Sequence, residues 1–348
     1  MLLAGSCRDQ PWRGAHGQFF RGIGPDGDSP VTASRAAFLA FIVGLFGPSI
    51  AGLSAAPQCS NTLNGACVLR GATMTQQQCA QTAESLWVVK DGRGDCIRYY
   101  SHGLKHENPI VLVVFHGDLM SQSGSQRSLP AYSDNKPEVL RSDMRAVSNR
   151  FGIPAIFVAR PGVYGSSGNH GERRRQREVD LMNLALDGLR KRHGIENFAM
   201  AGQSGGGHIV GAMLAHRSDI TCAAMSSGVV AVRARATAHG WSADATGYRD
   251  FYDPIDHVDN IDKNPDLKIF VVGDERDSNV PFKTQKMYFD KLIKRGLNAR
   301  LVRAKGSGQS HHGLARCGIG IAAICAQHGD ARELTSIVRE SKPYCELS

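Results

Sequence analysis

Gly202-Gln203-Ser204-Gly205-Gly206 is the stretch of this chain best equipped for chemistry. A serine hydroxyl becomes a nucleophile when a neighbouring base takes its proton, and a sharp strand-to-helix turn presents such a hydroxyl well. G-x-S-x-G meets that turn's needs: no Cβ where strand and helix crowd, and tolerance of unusual backbone angles. Asn197-Phe198-Ala199-Met200-Ala201 precedes the pattern as a short strand, and a helix-compatible run follows it. The competing reading is a Gly-rich turn in which Ser204 only caps the next helix. What surrounds the turn has to decide between them.

The surrounding pattern is one of alternating strands and helices. Leu86-Trp87-Val88-Val89 and Cys96-Ile97-Arg98-Tyr99-Tyr100 flank Asp91-Gly92-Arg93-Gly94-Asp95, which predicts a hairpin closed by a Gly-rich turn. Residues 109–115, 155–159 and 267–272 are largely apolar runs of strand length, as expected of strands buried on both faces. Residues 220–227 and 299–303 read as further strands. Helices are predicted near 139–151, 178–192, 208–216 and 282–295, with a tail helix from about Leu314. In the second of these, Val179, Met182, Leu186 and Leu189 share one face, and Gly194 suits the C-terminal cap. The implied fold is α/β: a doubly wound, mostly parallel sheet with helices on both faces and an antiparallel hairpin at its N-terminal edge. The irregular span 231–266 leaves room for at most a small cap.

Ligands in such sheets bind beyond the carboxyl ends of the strands. His116-Gly117-Asp118, residues 160–168, Ser204, the loop after Val272 and His311-His312 all fall at those ends.

At 348 residues, with 42% hydrophobic and 21% charged, the chain can bury a sizeable core as one large or two ordinary domains. Residues 1–56 differ from the rest. Arg35 precedes an apolar run from Ala36 to Phe46, Gly47 and Pro48 break it, and small residues follow, as in a secretory signal over about 35–55. Cleavage fits Gly52-Leu53-Ser54 better than Ser54-Ala55-Ala56, which Pro57 follows directly. The run is shorter than the ~20 residues of a spanning helix, so no stable membrane insertion is expected after cleavage. Uncut, the segment stretched to Leu53 would be an N-terminal anchor. The residues ahead of Arg35 are long for a signal's leading region, and a start at a non-AUG codon such as that of Val31 would remove them. The expected organisation is a leading region and signal over 1–56, a Cys-bearing extension over 57–84 and a catalytic domain over 85–348.

Of nine cysteines, Cys7 lies in the leading region and eight remain: Cys59, Cys67, Cys79, Cys96, Cys222, Cys317, Cys325 and Cys345. An exported chain with an even count predicts disulfides stapling both ends of the domain. Zinc is the rival reading, but no C-x2-C pair is present. Net charge is +9, or +8 once residues 1–56, with four arginines and three aspartates, are removed. The densest basic run, Arg173-Arg174-Arg175-Gln176-Arg177, enters an amphipathic helix without interleaved aromatics. It reads as a solvated helix face rather than a nucleic-acid site.

From about Leu86 to the C terminus the chain resembles the α/β-hydrolase superfamily. The resemblance rests on residues 202–206, His116-Gly117, Arg160-Pro161-Gly162-x-x-Gly165, the stretch Gly273-Asp274-Glu275-Arg276-Asp277-Ser278-Asn279-Val280-Pro281, and the late histidines. Asp277 followed by Val280-Pro281 is similar to the prolyl-oligopeptidase and dienelactone-hydrolase branches. Tyr252-Asp253-Pro254-Ile255-Asp256-His257-Val258 is similar more weakly.

The resemblance implies a triad in the order serine, acid, histidine. Ser204 is the nucleophile, Asp277 the acid and His312, before Gly313-Leu314, the base; Asp274 and His311 are the rival acid and base. Asp277 could instead cap the helix from Phe282, though Ser278 and Asn279 are better placed for that. The oxyanion hole is expected from the backbone N–H groups of Gly205 and Asp118, with Asp118 standing where the family commonly has Gly. His116 is expected to brace its loop. Tyr164 and Arg160 either line the substrate side or pack the turn. A metal site drawn from Asp118, Asp253, Asp256, His257 and His311-His312 lacks any H-E-x-x-H spacing, so neither metal nor cofactor is expected.

The implied protein is a secreted or periplasmic serine hydrolase acting on a carboxylic ester or related acyl bond. With little room for a cap, its substrate is a small-molecule or polymeric ester. A prolyl-oligopeptidase-like peptidase is the alternative, without room for that family's propeller. A non-catalytic binding protein on the same fold would normally have lost a triad member, and here all three have candidates.

Overall fold

In the computed structural model, residues 71–119, 121–123, 126–128, 136–328 and 333–348 are described. The candidate signal segment, Cys7, Cys59 and Cys67 lie outside them. In chain order the elements are α1 (Gln76–Ala80), β1 (Ser85–Lys90), β2 (Arg93–His102), β3 (Asn108–Phe115), β4 (Ser121–Ser123), β5 (Gln126–Ser128), α2 (Pro137–Phe151) and β6 (Ala155–Val158). They continue with α3 (Gln176–His193), β7 (Ile195–Gln203), α4 (Gly205–Leu214), β8 (Ile220–Ser226), α5 (Val232–Ala238), β9 (Lys268–Gly273), α6 (Phe282–Lys294), β10 (Ala299–Arg303), α7 (Ala315–His328) and α8 (Leu334–Glu340). Two short 3-10 turns, His170–Glu172 and Pro254–Asn260, join this set.

Eight strands form one sheet in the order β1-β2-β6-β3-β7-β8-β9-β10. The first two pairings are antiparallel and the rest are parallel. Side chains alternate along each strand, and here each face has its own helices. Leu112, Val114, Ala199, Ala201, Phe270 and Val272 face a core completed by α2, α7 and α8. Val111, Val113, Phe198, Met200, Ile269 and Val271 face one completed by α3, α4 and α6. Helices on both faces of a mostly parallel sheet make this the α/β doubly wound architecture expected from the strand pattern.

The hairpin turn is tighter than expected. Lys90 pairs with Arg93, leaving only Asp91 (φ 50°) and Gly92 (φ 71°) in the loop. Two residues at positive φ match the twist of the flanking strands, so Arg93, Gly94 and Asp95 join β2. Gly194 caps α3 in the left-handed conformation at φ 55°, as read from sequence. Ser278 and Asn279 do not cap α6, whose N-cap is Pro281.

Three disulfides are present among the described residues. Cys79–Cys96 ties α1 to β2, Cys222–Cys325 ties β8 to α7, and Cys317–Cys345 ties α7 to the C-terminal tail. No helix among the described residues is long and apolar enough to cross a membrane.

Candidate active site

Ser204 joins β7 to α4 at φ 55° and ψ −118°. A non-glycine residue there carries about 1–3 kcal/mol of strain and stays only where its surroundings enforce it. Three backbone hydrogen bonds do so. The Ser204 N–H donates to the Ser226 carbonyl (3.0 Å), and its own carbonyl accepts from His208 (3.2 Å) and Val229 (3.0 Å). The flanking glycines are required by close approach rather than by backbone angle. A Cβ on Gly202 would come within 2.2 Å of the Gly206 carbonyl oxygen, and one on Gly206 within 2.2 Å of the Phe115 oxygen.

The loops after β9 and β10 meet beside this turn. His312 Nδ1 lies 2.8 Å from Asp277 Oδ2, while Asp277 Oδ1 accepts the N–H groups of Asn279 and Val280, each at 2.9 Å. With both oxygens engaged, the carboxylate is fixed. Ser278 N–H donates to the Ser310 carbonyl (3.0 Å), joining the acid loop to the histidine loop. Gln203, the residue before Ser204, donates from Nε2 to the His312 carbonyl at 2.9 Å. Asp277, His312 and the Ser204 turn are thereby linked through one set of hydrogen bonds.

The rival acid is occupied elsewhere. Asp274 accepts from the Arg276 guanidinium and from the N–H groups of Arg276 and Gly306. Burial alone would raise its carboxyl, but these donors outweigh it and hold it down at about 2. His311, at φ 52°, turns in the tight loop where Ser307 and Gly313 exchange backbone bonds.

Behind the turn lies a buried ionic cluster. Asp118 pairs with Arg160 (2.9 Å), Arg173 (3.0 Å) and Arg174. Arg160 also binds Glu178 (2.8 Å), and Arg174 binds Asp244 (2.8 Å). Despite its burial, Asp118 is held well below the ordinary carboxylate range by the three guanidinium groups. His116 donates from Nδ1 to the Gly117 carbonyl and accepts at Nε2 from the Arg160 N–H (3.1 Å). That second bond needs the neutral ring, and burial with Arg160 alongside lowers its pKa to about 3. His116 therefore braces its loop, as expected.

Three expectations are corrected. Arg173 and Arg174 are buried, not on a solvated face, because Asp118 and Asp244 meet them from distant parts of the chain. Arg160 has no exposed surface and its guanidinium is spent on Glu178 and Asp118, so it cannot line a substrate. Tyr164 is buried as well, its ring against His116 and Phe157 and its carbonyl accepting from the Tyr100 hydroxyl. Both belong to the packed turn. The one sequence hint of the cluster was Glu178 four residues after Arg174, whose N–H it accepts at 2.6 Å.

The Asp118 side chain, rather than its backbone, is what lies against Gly205. A Cβ on Gly205 would lie 2.0 Å from Asp118 Oδ1, and one on Gly117 3.4 Å from the Ser204 Cβ. The residues weighed for a metal have other partners: Asp253 accepts the N–H groups of Val232 and Arg233, Asp256 pairs with Arg233, and His257 stacks on Tyr252. No group of three or more His, Cys, Asp or Glu among the described residues is placed to hold a metal ion.

Residues 176–318, which include Ser204, Asp277 and His312, match the prolyl oligopeptidase family. No curated protein matches the chain. Among solved structures, the chain is similar to the esterase Pf2001 of Pyrococcus furiosus, at 10% identity over 78% of this chain and 96% of that one, with a TM-score of 0.47. The esterase Est1E of Butyrivibrio proteoclasticus, with ferulic acid bound, is 16% identical over 63% of this chain and 88% of that one, with a TM-score of 0.45. The acylaminoacyl peptidase of Pyrococcus horikoshii is 14% identical over 63% of this chain, with a TM-score of 0.44, and this chain spans only 36% of its length.

Proposed function

We propose that this prolyl-oligopeptidase-like α/β-hydrolase cleaves a carboxylic ester or related acyl bond through Ser204, His312 and Asp277. The observation that carries the reading is the Asp277–His312 hydrogen bond, whose loop is tied by Gln203 to the strained Ser204 turn. Asp277 accepts from His312 Nδ1–H and fixes the tautomer that leaves Nε2 as a base. Ser204 Oγ attacks the carbonyl carbon as His312 Nε2 takes its proton. The backbone N–H groups of Gly205 and Asp118 receive the oxyanion, aided by the α4 N-terminus. His312 then returns the proton to the departing alkoxide, leaving an acyl-serine. Water, deprotonated by His312, attacks that ester, and collapse releases the acid and restores the Ser204 hydroxyl.

A peptidase is the second reading, favoured by the family match over residues 176–318. A peptide panel run beside p-nitrophenyl esters of graded chain length separates the two. Export to an oxidising compartment is part of the proposal, and three disulfides support it. The deciding experiment is labelling with a fluorophosphonate. Modification at Ser204, with kcat of Ser204→Ala lower by roughly 10⁶, is expected. Hydrolysis undiminished in that variant would reject the reading.

A further inference from the structure

The loop that presents Asp277 also holds a cation that the proposed chemistry does not use. Arg235, on α5, donates from Nε to the Asn279 carbonyl (2.9 Å) and from Nη2 to Asn279 Oδ1 (2.6 Å). Asn279 stands two residues after Asp277. The N-terminal turn of α5 is anchored to the same place, because Val232 packs with Val280 of the acid loop and with Val229, which donates to the Ser204 carbonyl. The charges of Arg174, Asp244 and Asp118 also act on Arg235, and the Asp118 carboxylate lies against Gly205. Arg235 is thus held on the loop that presents Asp277, on a helix packed against the residue that binds the Ser204 carbonyl.

It has no direct ion-pair partner among the described residues. Arg235 is only 7% exposed, yet no Asp or Glu among the described residues lies within ion-pairing distance of it. Asp277 spends its oxygens on His312, Asn279 and Val280. Asp118 and Asp244 are taken by Arg160, Arg173 and Arg174. Burial, with Arg174 nearby, brings the Arg235 guanidinium down to about 10. Trp241 covers one face of it at 5.1 Å. Nη1 makes no hydrogen bond among the described residues, which leaves donors free for an incoming group. A desolvated guanidinium lacking an acid partner is worth most to a planar anion that it can bind through two parallel bonds.

We infer that Arg235 is a specificity residue that binds a carboxylate on the substrate, so that the preferred substrates are esters bearing a free acid. This deepens the ester-hydrolase reading and rests on it. The carboxylate belongs either to the acyl part or to the leaving group, and two substrate pairs distinguish these. One pair is 4-nitrophenyl hydrogen adipate and its methyl ester; the other is 4-acetoxybenzoate and its methyl ester.

The wild-type protein should hydrolyse the acid member of one pair with a kcat/KM about ten- to a hundredfold above its methyl ester, the worth of a hydrogen-bonded charge pair. Arg235→Gln should abolish that preference, and Arg235→Lys should restore part of it. Equal or faster hydrolysis of the neutral member in both pairs overturns the inference without any variant. So does a preference that survives in Arg235→Gln, or an equal loss on both members of the favoured pair. Calorimetry on Ser204→Ala with the same four compounds tests recognition apart from turnover. Tighter binding of an acid member there sustains the inference even where the hydrolase reading fails, and binding blind to the carboxylate overturns it even where hydrolysis is found.

Discussion

The carboxylate of Asp118 rests against the Cα of Gly205: a methyl group placed there would meet Oδ1 at 2.0 Å and Arg160 Nη1 at 2.5 Å. Asp118 therefore reaches inward to the residue that follows the nucleophile, and its three arginines hold its carboxylate there. Gly205→Ala forces Asp118 out of that position. We expect kcat on p-nitrophenyl esters to fall about 100-fold, as when one oxyanion donor is lost. Unfolding free energy should drop by about 1–3 kcal/mol from overpacking. Denaturant titration read beside the kinetics separates the two effects, and full activity in this variant would place the oxyanion elsewhere.

The neighbouring acids and neighbouring histidines make a paired comparison. Asp277→Asn should lower kcat about 10⁴-fold by losing the correct tautomer of His312, whereas Asp274→Asn, whose side chain binds Arg276 and Gly306, should act mainly on stability. His312→Ala should lower kcat by orders of magnitude and His311→Ala far less. A pattern in which Asp274 and His311 carry the larger effects would reverse the proposed assignment.

Cys222–Cys325 closes a loop of 103 residues between the sheet and α7. The chain-entropy account assigns such a loop a large share of disulfide stabilisation, typically 2–4 kcal/mol. Cys222→Ala with Cys325→Ala should lower the denaturant midpoint accordingly while Ser204 stays reactive towards a fluorophosphonate. Cys79–Cys96 closes a loop of 17, so its removal should matter less by the same measure.

The strands were legible because burial on both faces demands apolar residues at every position, and residues 109–115 or 155–158 have little other use. The Ser204 turn was legible because its glycines answer a local clash between β7, α4 and the end of β3. The arginine cluster was not. A run such as Arg173-Arg174-Arg175-Gln176-Arg177 carries no mark of burial, since what neutralises it (Asp118 and Asp244) arrives only when β3 and the span after β8 fold over it. Arg160 failed for the same reason, its partner Glu178 lying on the next helix. Short elements such as α1 and α8 bury too few residues to set a period, and β4 and β5 span only three residues each. The choice between His311 and His312 was a matter of geometry, because adjacent positions of a loop differ in direction and not in composition.

Three histidines in the buried shell around the turn set an acid limit. His116 is held down at about 3 and His208 at about 4, both chiefly by burial, and His170 is pushed well below its ordinary value by burial and Arg160. His170 Nε2 also accepts the Leu119 N–H at 3.3 Å, which needs the neutral ring. The unfolded chain protonates each of these rings near pH 6.5, while the folded chain keeps them neutral to far lower pH. Unfolding thus takes up protons below pH 6.5, and stability present above that pH is lost as the medium becomes more acid. Each ring contributes about 1.4 kcal/mol per pH unit, so three give a slope approaching about 4. The depressed carboxyl of Asp118 adds its own loss only below about pH 4, in the same direction. Urea midpoints measured at pH 7, 6 and 5 should fall steeply over the last step, and His208→Gln should flatten the slope by about a third. A midpoint constant from pH 7 to 5 would mean that these rings are protonated in the folded protein.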